Sequence, residues 1–190
     1  MKYLESIEKF NPTNAQEAND RAVILDFAAH HPETILTREN QVAHLTSSGF
    51  IMNEKLDKVL MVHHNIYKTW TWTGGHVDGN GDFLEVAIQE AMEETGVSSI
   101  KPLSKEIISV DILPVYGHEK RGRYVSSHLH LNVAYVLIAD ESQALLVKPD
   151  ENSGVKWVPI EAIETHSNES YLIHIYHKII EKVTSQKERF

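Results

Sequence analysis

The hydrophobic patterning predicts an α/β fold of the α+β kind, a mixed β-sheet sandwiched between helices. Three observations predict it. A capped helical segment at 13–31 precedes a series of short strand-like runs, a single strongly patterned helix from about 83 to 95 interrupts them, and an amphipathic helix follows at 170–184. The 190 residues, 42% hydrophobic and 24% charged, suit one well-packed domain spanning 1–190.

In the first helix Thr13 or Asn14 is the cap, Gln16 or Glu17 follows three positions on, and Pro32 is the stop. His30 and His31 fall in its last turn, where the helix dipole favours them. Three strand-like runs come next, at 46–53, 58–63 and 70–77, and the turn NEKLD makes the first two a hairpin. Asp82 then caps the central helix, Glu85 completes the capping pattern and Gly96 ends it. At about 100° per residue, Leu84, Ala87, Ile88, Ala91 and Met92 share one arc expected on the sheet, with Glu90, Glu93 and Glu94 on the other side. Two further strands, 106–115 and 124–139, flank the polar loop GHEKRGR. A short strand at 154–158 leads to Pro159 in the first turn of the helix PIEAIE. The last helix aligns Leu172, Tyr176, Ile179 and Val183 along one side.

A net charge of −9 and a pI near 5.7 argue against long DNA or RNA as a partner, which requires a basic surface. The absence of cysteine excludes disulfides, thiolate zinc sites and a catalytic thiol. The start, MKYLESIEKF, lacks the apolar core of a signal peptide, and no apolar run approaches a membrane span. A cytoplasmic location with no membrane partner is therefore expected, and the sequence is compatible with a homodimer.

Residues three and four apart on a helix are neighbours, so Glu90 faces Glu93 and Glu94, and each like-charge contact costs a few tenths of a kcal/mol. No Lys or Arg lies between residues 69 and 100 to relieve it. The cluster suggests a cation, and oxygen-only ligands point to a hard ion, Mg²⁺ or Mn²⁺, which shares its shell with phosphate oxygens. The bland alternative is a solvated acidic face that binds nothing. Gly74 and Gly75 let the chain turn off a strand, and HVDGNG supplies a loop before the helix.

Strand, glycine loop, capped helix, three acids and a terminating glycine together resemble the Nudix hydrolase family. Gly75 opens the family's box, and Glu90, Ala91, Glu93, Glu94, Gly96 and Val97 fall in register with its second half. The resemblance extends over about 40–166, through the WVPIEAI segment. It implies an α/β/α sandwich and Mg²⁺- or Mn²⁺-dependent hydrolysis of a diphosphate linkage, usually in a nucleoside diphosphate derivative, a small-molecule partner. It implies too that Glu93 and Glu94 ligate the metal and that Glu90 is a further ligand or the base activating water, making Glu90 and Glu94 the catalytic candidates. By the same resemblance an acid in the loop before Trp157 reaches the metal, and Glu151 is the candidate. Two positions depart from the box: Gly81 stands where its first Glu is expected, and Gln89 where its Arg is.

Twelve histidines raise the question of a second site. His63 and His64 end a strand, His76 lies in the box loop, and His128 and His130 share a strand face. They can hold Zn²⁺, line a pocket that binds phosphate or a base, or simply occupy strand ends. Diphosphate binding on so acidic a chain calls for local positive charge, with Arg38, Lys120, Arg121 and Arg123 as candidates. Three function classes follow: a hydrolase, a catalytically weak module that binds a nucleotide metabolite, and a histidine-based zinc protein.

Overall fold

The computed structural model describes residues 2–120 and 122–186. After a short helix α1 (Glu5–Lys9), the first long helix, α2 (Ala15–His30), begins where the sequence places it. The Asn14 side chain accepts from the Glu17 backbone N–H, and Glu17 in turn accepts from the Thr13 backbone N–H and hydroxyl, which closes the N-terminal end of the helix reciprocally.

The sheet runs β10 (Asn152–Pro159), β2 (Lys58–His64), β1 (Ala43–Met52), β9 (His128–Ile138), β5 (Lys101–Pro102). The segments β3 (Trp70–Thr71), β4 (Thr73–His76) and β6 (Ser109–Val115) pair with β2, β1 and β9 respectively. Among the described strands only β1 and β9 are parallel, in register from Ala43 with Leu129 to Met52 with Ile138, which makes the sheet mixed as expected. β1 and β2 form the expected hairpin.

Side chains alternate across a strand, and the alternation separates two cores. Leu45, Ile51, Leu131 and Val133 pack with Ile7, Ile24, Val86 and Ala87 beneath α1, α2 and α3 (Phe83–Thr95). Phe50, Met52, Ala134 and Val136 face the other way, against Ile175, Tyr176, Ile179 and Val183 of the last helix, α5 (Ser170–Gln186), which follows the short α4 (Ile163–His166). On that second face the earlier same-side residues of β1 are His44, Thr46 and Ser48. They extend as a polar floor from the part of the face that α5 covers.

Several boundaries differ from the sequence reading. The run at 70–77 is broken at Trp72, whose backbone N–H donates to the Tyr176 hydroxyl, and the chain passes there from β2 to β1. The GHEKRGR segment is a ribbon rather than a loop: β7 (His118–Lys120) pairs with β8 (Arg123–Val125) around Gly122 at φ +72°. β1 starts earlier than expected and takes in His44. A charged network of α2, β6 and α5 joins the layers: Lys182 pairs with fully buried Glu17, and Lys178 reaches Asp111 at 2.6 Å. Among the described residues no helix is long and apolar enough to cross a membrane.

Candidate active site

The central helix α3 is built as its caps predict. Asp82 accepts from the Glu85 backbone N–H at 3.0 Å, and Gly96 closes the helix in the left-handed region at φ +74°. Its buried face is not the predicted one. Phe83, Val86, Ala87, Ala91, Glu94 and Thr95 are buried, while Met92 is exposed and Leu84 and Ile88 only partly covered. The true arc is turned from the expected arc by about one residue, ~100°. Ala87 and Ala91 belong to both arcs, while Phe83 and Val86 pack into the core in place of Leu84, Ile88 and Met92. Gly74 and Gly75 on β4 then leave room for what the helix brings inward: a Cβ on Gly75 would fall on the Glu90 carboxyl. Glu90 and Glu94 are therefore on the packed side of the helix, contrary to the assumption that the acids face away.

A cleft of about 900 Å³ is lined by these glutamates, by β4 and by the polar floor of β1 and β9. Glu90, Glu94 and Glu151 place carboxylate oxygens within 4.8 Å of one another. The Gly74 N–H donates to Glu94 Oε1 at 3.2 Å, and the Asn152 amide donates to the Glu94 backbone carbonyl at 2.9 Å, fixing the helix end against β10. Glu93 stands apart, with Oε1 taken by Gln89 at 2.9 Å and Oε2 by Lys148 at 3.1 Å. Lys148 also pairs with Glu151 at 3.1 Å.

Burial pushes Glu94 up to about 8, with Glu90 and Glu151 adding to it against the opposing Gly74 N–H. Burial also raises Glu90, and the neighbouring Glu93 adds to the effect. Glu93 moves the other way, held down by its hydrogen bonds from Gln89 and Lys148. Burial would lower Lys148, but its bonds to Glu151 and Glu93 outweigh it and hold the ammonium above its ordinary value. Three converging carboxylates, two of them resisting ionisation, suit a divalent cation that removes the repulsion, and their all-oxygen character fits a hard ion.

The other predicted residues divide. Gly75, His76, Arg38, His128 and His130 line the cleft. Arg38 is already engaged in a two-pronged pair with Asp78, at 2.9 and 2.7 Å. Arg123 sits on the exposed ribbon and is not part of the lining, and Arg121 lies outside the described residues. Among the described residues the acidic side chains of the lining outnumber its Arg and Lys, Arg38 and Lys148, and both of those are paired with carboxylates.

The two departures from the box have physical counterparts. A Cβ at Gly81 would approach Tyr3 Cβ to 2.9 Å, because the N-terminal segment packs there and Tyr3 meets Phe83 edge-on. A Glu side chain at 81 would compete with Tyr3 for that space. Gln89 still donates to a glutamate one turn on, Glu93.

Three cleft residues escaped the sequence reading. Lys148 lies in an irregular segment, and nothing local marks its reach to Glu93. Asn132 is buried on β9, its Oδ1 accepts from Thr46 and Ser48 at 2.9 Å each, and its Nδ2 is left without a partner among the described residues. His44 lies ahead of the expected strand start at 46, because β1 begins three residues earlier, at Ala43.

The NUDIX domain model matches residues 42–179, and the chain belongs to that family. Over 104 residues the chain is 28% identical to a probable DHNTP pyrophosphohydrolase of Lactococcus lactis subsp. cremoris (strain MG1363), covering 55% of this chain and 59% of that protein. The chain thus spans less than two thirds of that relative's length. In fold it is similar to an Ap4A hydrolase of C. elegans, with TM-score 0.52 and 15% identity over 74% of this chain and 98% of the other. It is similar also to the E. coli dihydroneopterin triphosphate pyrophosphohydrolase, with TM-score 0.54 and 12% identity over 73% and 95%.

Proposed function

We propose that the protein is a Mg²⁺- or Mn²⁺-dependent hydrolase of a phosphoanhydride bond in a small nucleotide-like substrate. The observation that carries this is the convergence of Glu90, Glu94 and Glu151 in the cleft beside the glycines of β4. NUDIX membership and the pyrophosphohydrolase relative support it.

Glu90, Glu94 and Glu151 are the residues that hold the cation, with Glu93 supporting the set through Lys148 and Gln89. When bound, the ion supplies Lewis acidity and neutralises phosphate oxygens. Glu90 is either a further ligand or the base that accepts the proton of the attacking water. A bond forms from that water oxygen to phosphorus while the bridging P–O bond breaks, and the leaving phosphate takes the electron pair. Gly75 leaves space for Glu90 to do this, and the unpartnered Asn132 amide offers a donor to an acceptor group of the substrate. The Arg38–Asp78 pair lies at the cleft wall, where it contacts the substrate's phosphates or base. The net acidity of the lining makes a cation necessary for an anionic substrate to enter.

The test is release of phosphate products from nucleoside triphosphates, nucleoside diphosphate derivatives, dinucleoside polyphosphates and dihydroneopterin triphosphate, with each metal. Metal-dependent cleavage of one class, reduced about 100-fold or more in Glu94→Gln, is expected. Turnover unchanged in that variant would overturn the assignment. Tight binding with no turnover of any substrate would make the protein a binding module instead.

A further inference from the structure

We propose that His44, His76, His128 and His130 form a zinc site separate from the carboxylate cluster. Each offers one ring nitrogen, and the four nitrogens lie within 4.8 Å of one another. The strand register assembles them. His130 is the β9 partner of His44, His76 stands on β4 opposite Thr46, and His128 precedes His130 by two. Residues two apart on a strand, or directly opposite across a pair, share a sheet face. All four imidazoles therefore rise from the same side of β4, β1 and β9, on the polar floor of the cleft.

The hydrogen bonds of His44 and His128 select the tautomer that a metal requires of these two rings. His44 is 4% exposed, and its Nδ1 lies 2.9 Å from the Asn40 carbonyl. A carbonyl can only accept, so Nδ1 carries the proton and Nε2 bears the lone pair. That Nε2 is buried and has no hydrogen-bond partner among the described residues. His128 repeats the arrangement, with Nδ1 2.8 Å from the Ser126 carbonyl. A backbone carbonyl behind the outer nitrogen is the usual support of a zinc-ligating imidazole.

The spacing agrees with tetrahedral coordination. Nε2 of His130 donates to Nε2 of His128 at 3.2 Å, a proton that a bound ion would displace, and the separation is close to the edge of about 3.3 Å expected for a tetrahedron with Zn–N of about 2.0–2.1 Å. Ring centroids of 4.9 to 5.3 Å separate His44 from His76, His128 and His130, and His76 from His130. Four nitrogen donors favour zinc over Mg²⁺ or Mn²⁺, which prefer oxygen. Such an ion joins three strand ends on the cleft floor and leaves the glutamates to a second, harder ion.

The experiment is metal analysis of the full, untagged chain after equilibration with Zn²⁺ in excess Mg²⁺ and removal of free metal, with circular dichroism confirming that each variant folds. About one zinc per chain is expected in the native protein and in Glu94→Gln, and less than about a tenth of that in His44→Ala and His128→Ala. Co²⁺ loaded into the native protein should give the intense visible bands of tetrahedral cobalt, a reading that does not depend on any variant. Absence of retained zinc, zinc lost in Glu94→Gln but kept in the histidine variants, or a six-coordinate cobalt spectrum would each overturn the proposal. Because zinc content is read without any substrate, failure here leaves the hydrolase reading intact, and failure of the hydrolase reading leaves this one intact.

Discussion

Glu94 gives the sharpest handle on the site, because its burial makes the metal-free fold sensitive to pH. Its pKa stands at about 8 against an ordinary 4.5. Between those values the unfolded chain has released this proton while the folded, metal-free chain retains it. Stability therefore falls as pH rises from about 4.5 to about 8 and levels beyond that. At ~1.4 kcal/mol per pH unit the full effect is about 5 kcal/mol, a large part of the 5–15 kcal/mol that ordinarily holds a domain together. Glu94→Gln keeps the shape and an oxygen for the Gly74 N–H but cannot ionise. In urea unfolding with a chelator at pH 5 and pH 8, the native protein should lose several kcal/mol more than the variant over that interval. Mg²⁺ at pH 8 should restore the native protein and leave the variant little changed. Parallel curves for the two proteins would refute the claim that Glu94 is held neutral by burial.

Three further outcomes are expected. Lys148→Met releases Glu93 and Glu151 from their ammonium partner and should tighten Mn²⁺ binding about fivefold in calorimetry, equivalent to ~1 kcal/mol; weaker binding would mean that Lys148 positions the ligands. Gly81→Ala forces Tyr3 to shift and should cost ~1 kcal/mol by thermal or urea unfolding, much less when combined with Tyr3→Ala, a coupling that a double-mutant cycle reads directly. Glu17→Gln leaves the Lys182 ammonium without its buried partner and should cost about 3–5 kcal/mol. Burial alone would raise Glu17, but Lys182, the Thr13 N–H and Lys178 hold it below its ordinary value. Its stabilisation is thus present above pH ~4.5 and is lost as pH falls through the depressed folded value, which acid titration of the native protein and the variant should show.

Local chemistry was enough to place the elements that carry the site. Asp82, Glu85 and Gly96 specify both ends of α3 through caps and a left-handed closing residue, all of which act within one turn. Asn14 and Glu17 do the same for α2. The spacing of Gly75, Glu90, Glu93 and Glu94 indicated a metal-directed cluster and the NUDIX family, which the match over 42–179 shows.

Tertiary packing decided what periodicity left open. Two helical arcs share Ala87 and Ala91, and it is the packing of Phe83 and Val86 into the core, with the clearance over Gly75, that carries Glu90 and Glu94 inward. Lys148 joins Glu93 across 55 residues of sequence, a separation at which no local pattern operates. The four histidines come together because β1 and β9 pair in parallel while β4 returns antiparallel, placing His44, His130 and His76 on one face. The sequence by itself determined which residues can cap, turn and ligate, since those properties belong to single side chains and their near neighbours. Which of them meet was decided by strand pairing and helix rotation, which depend on the whole packed core.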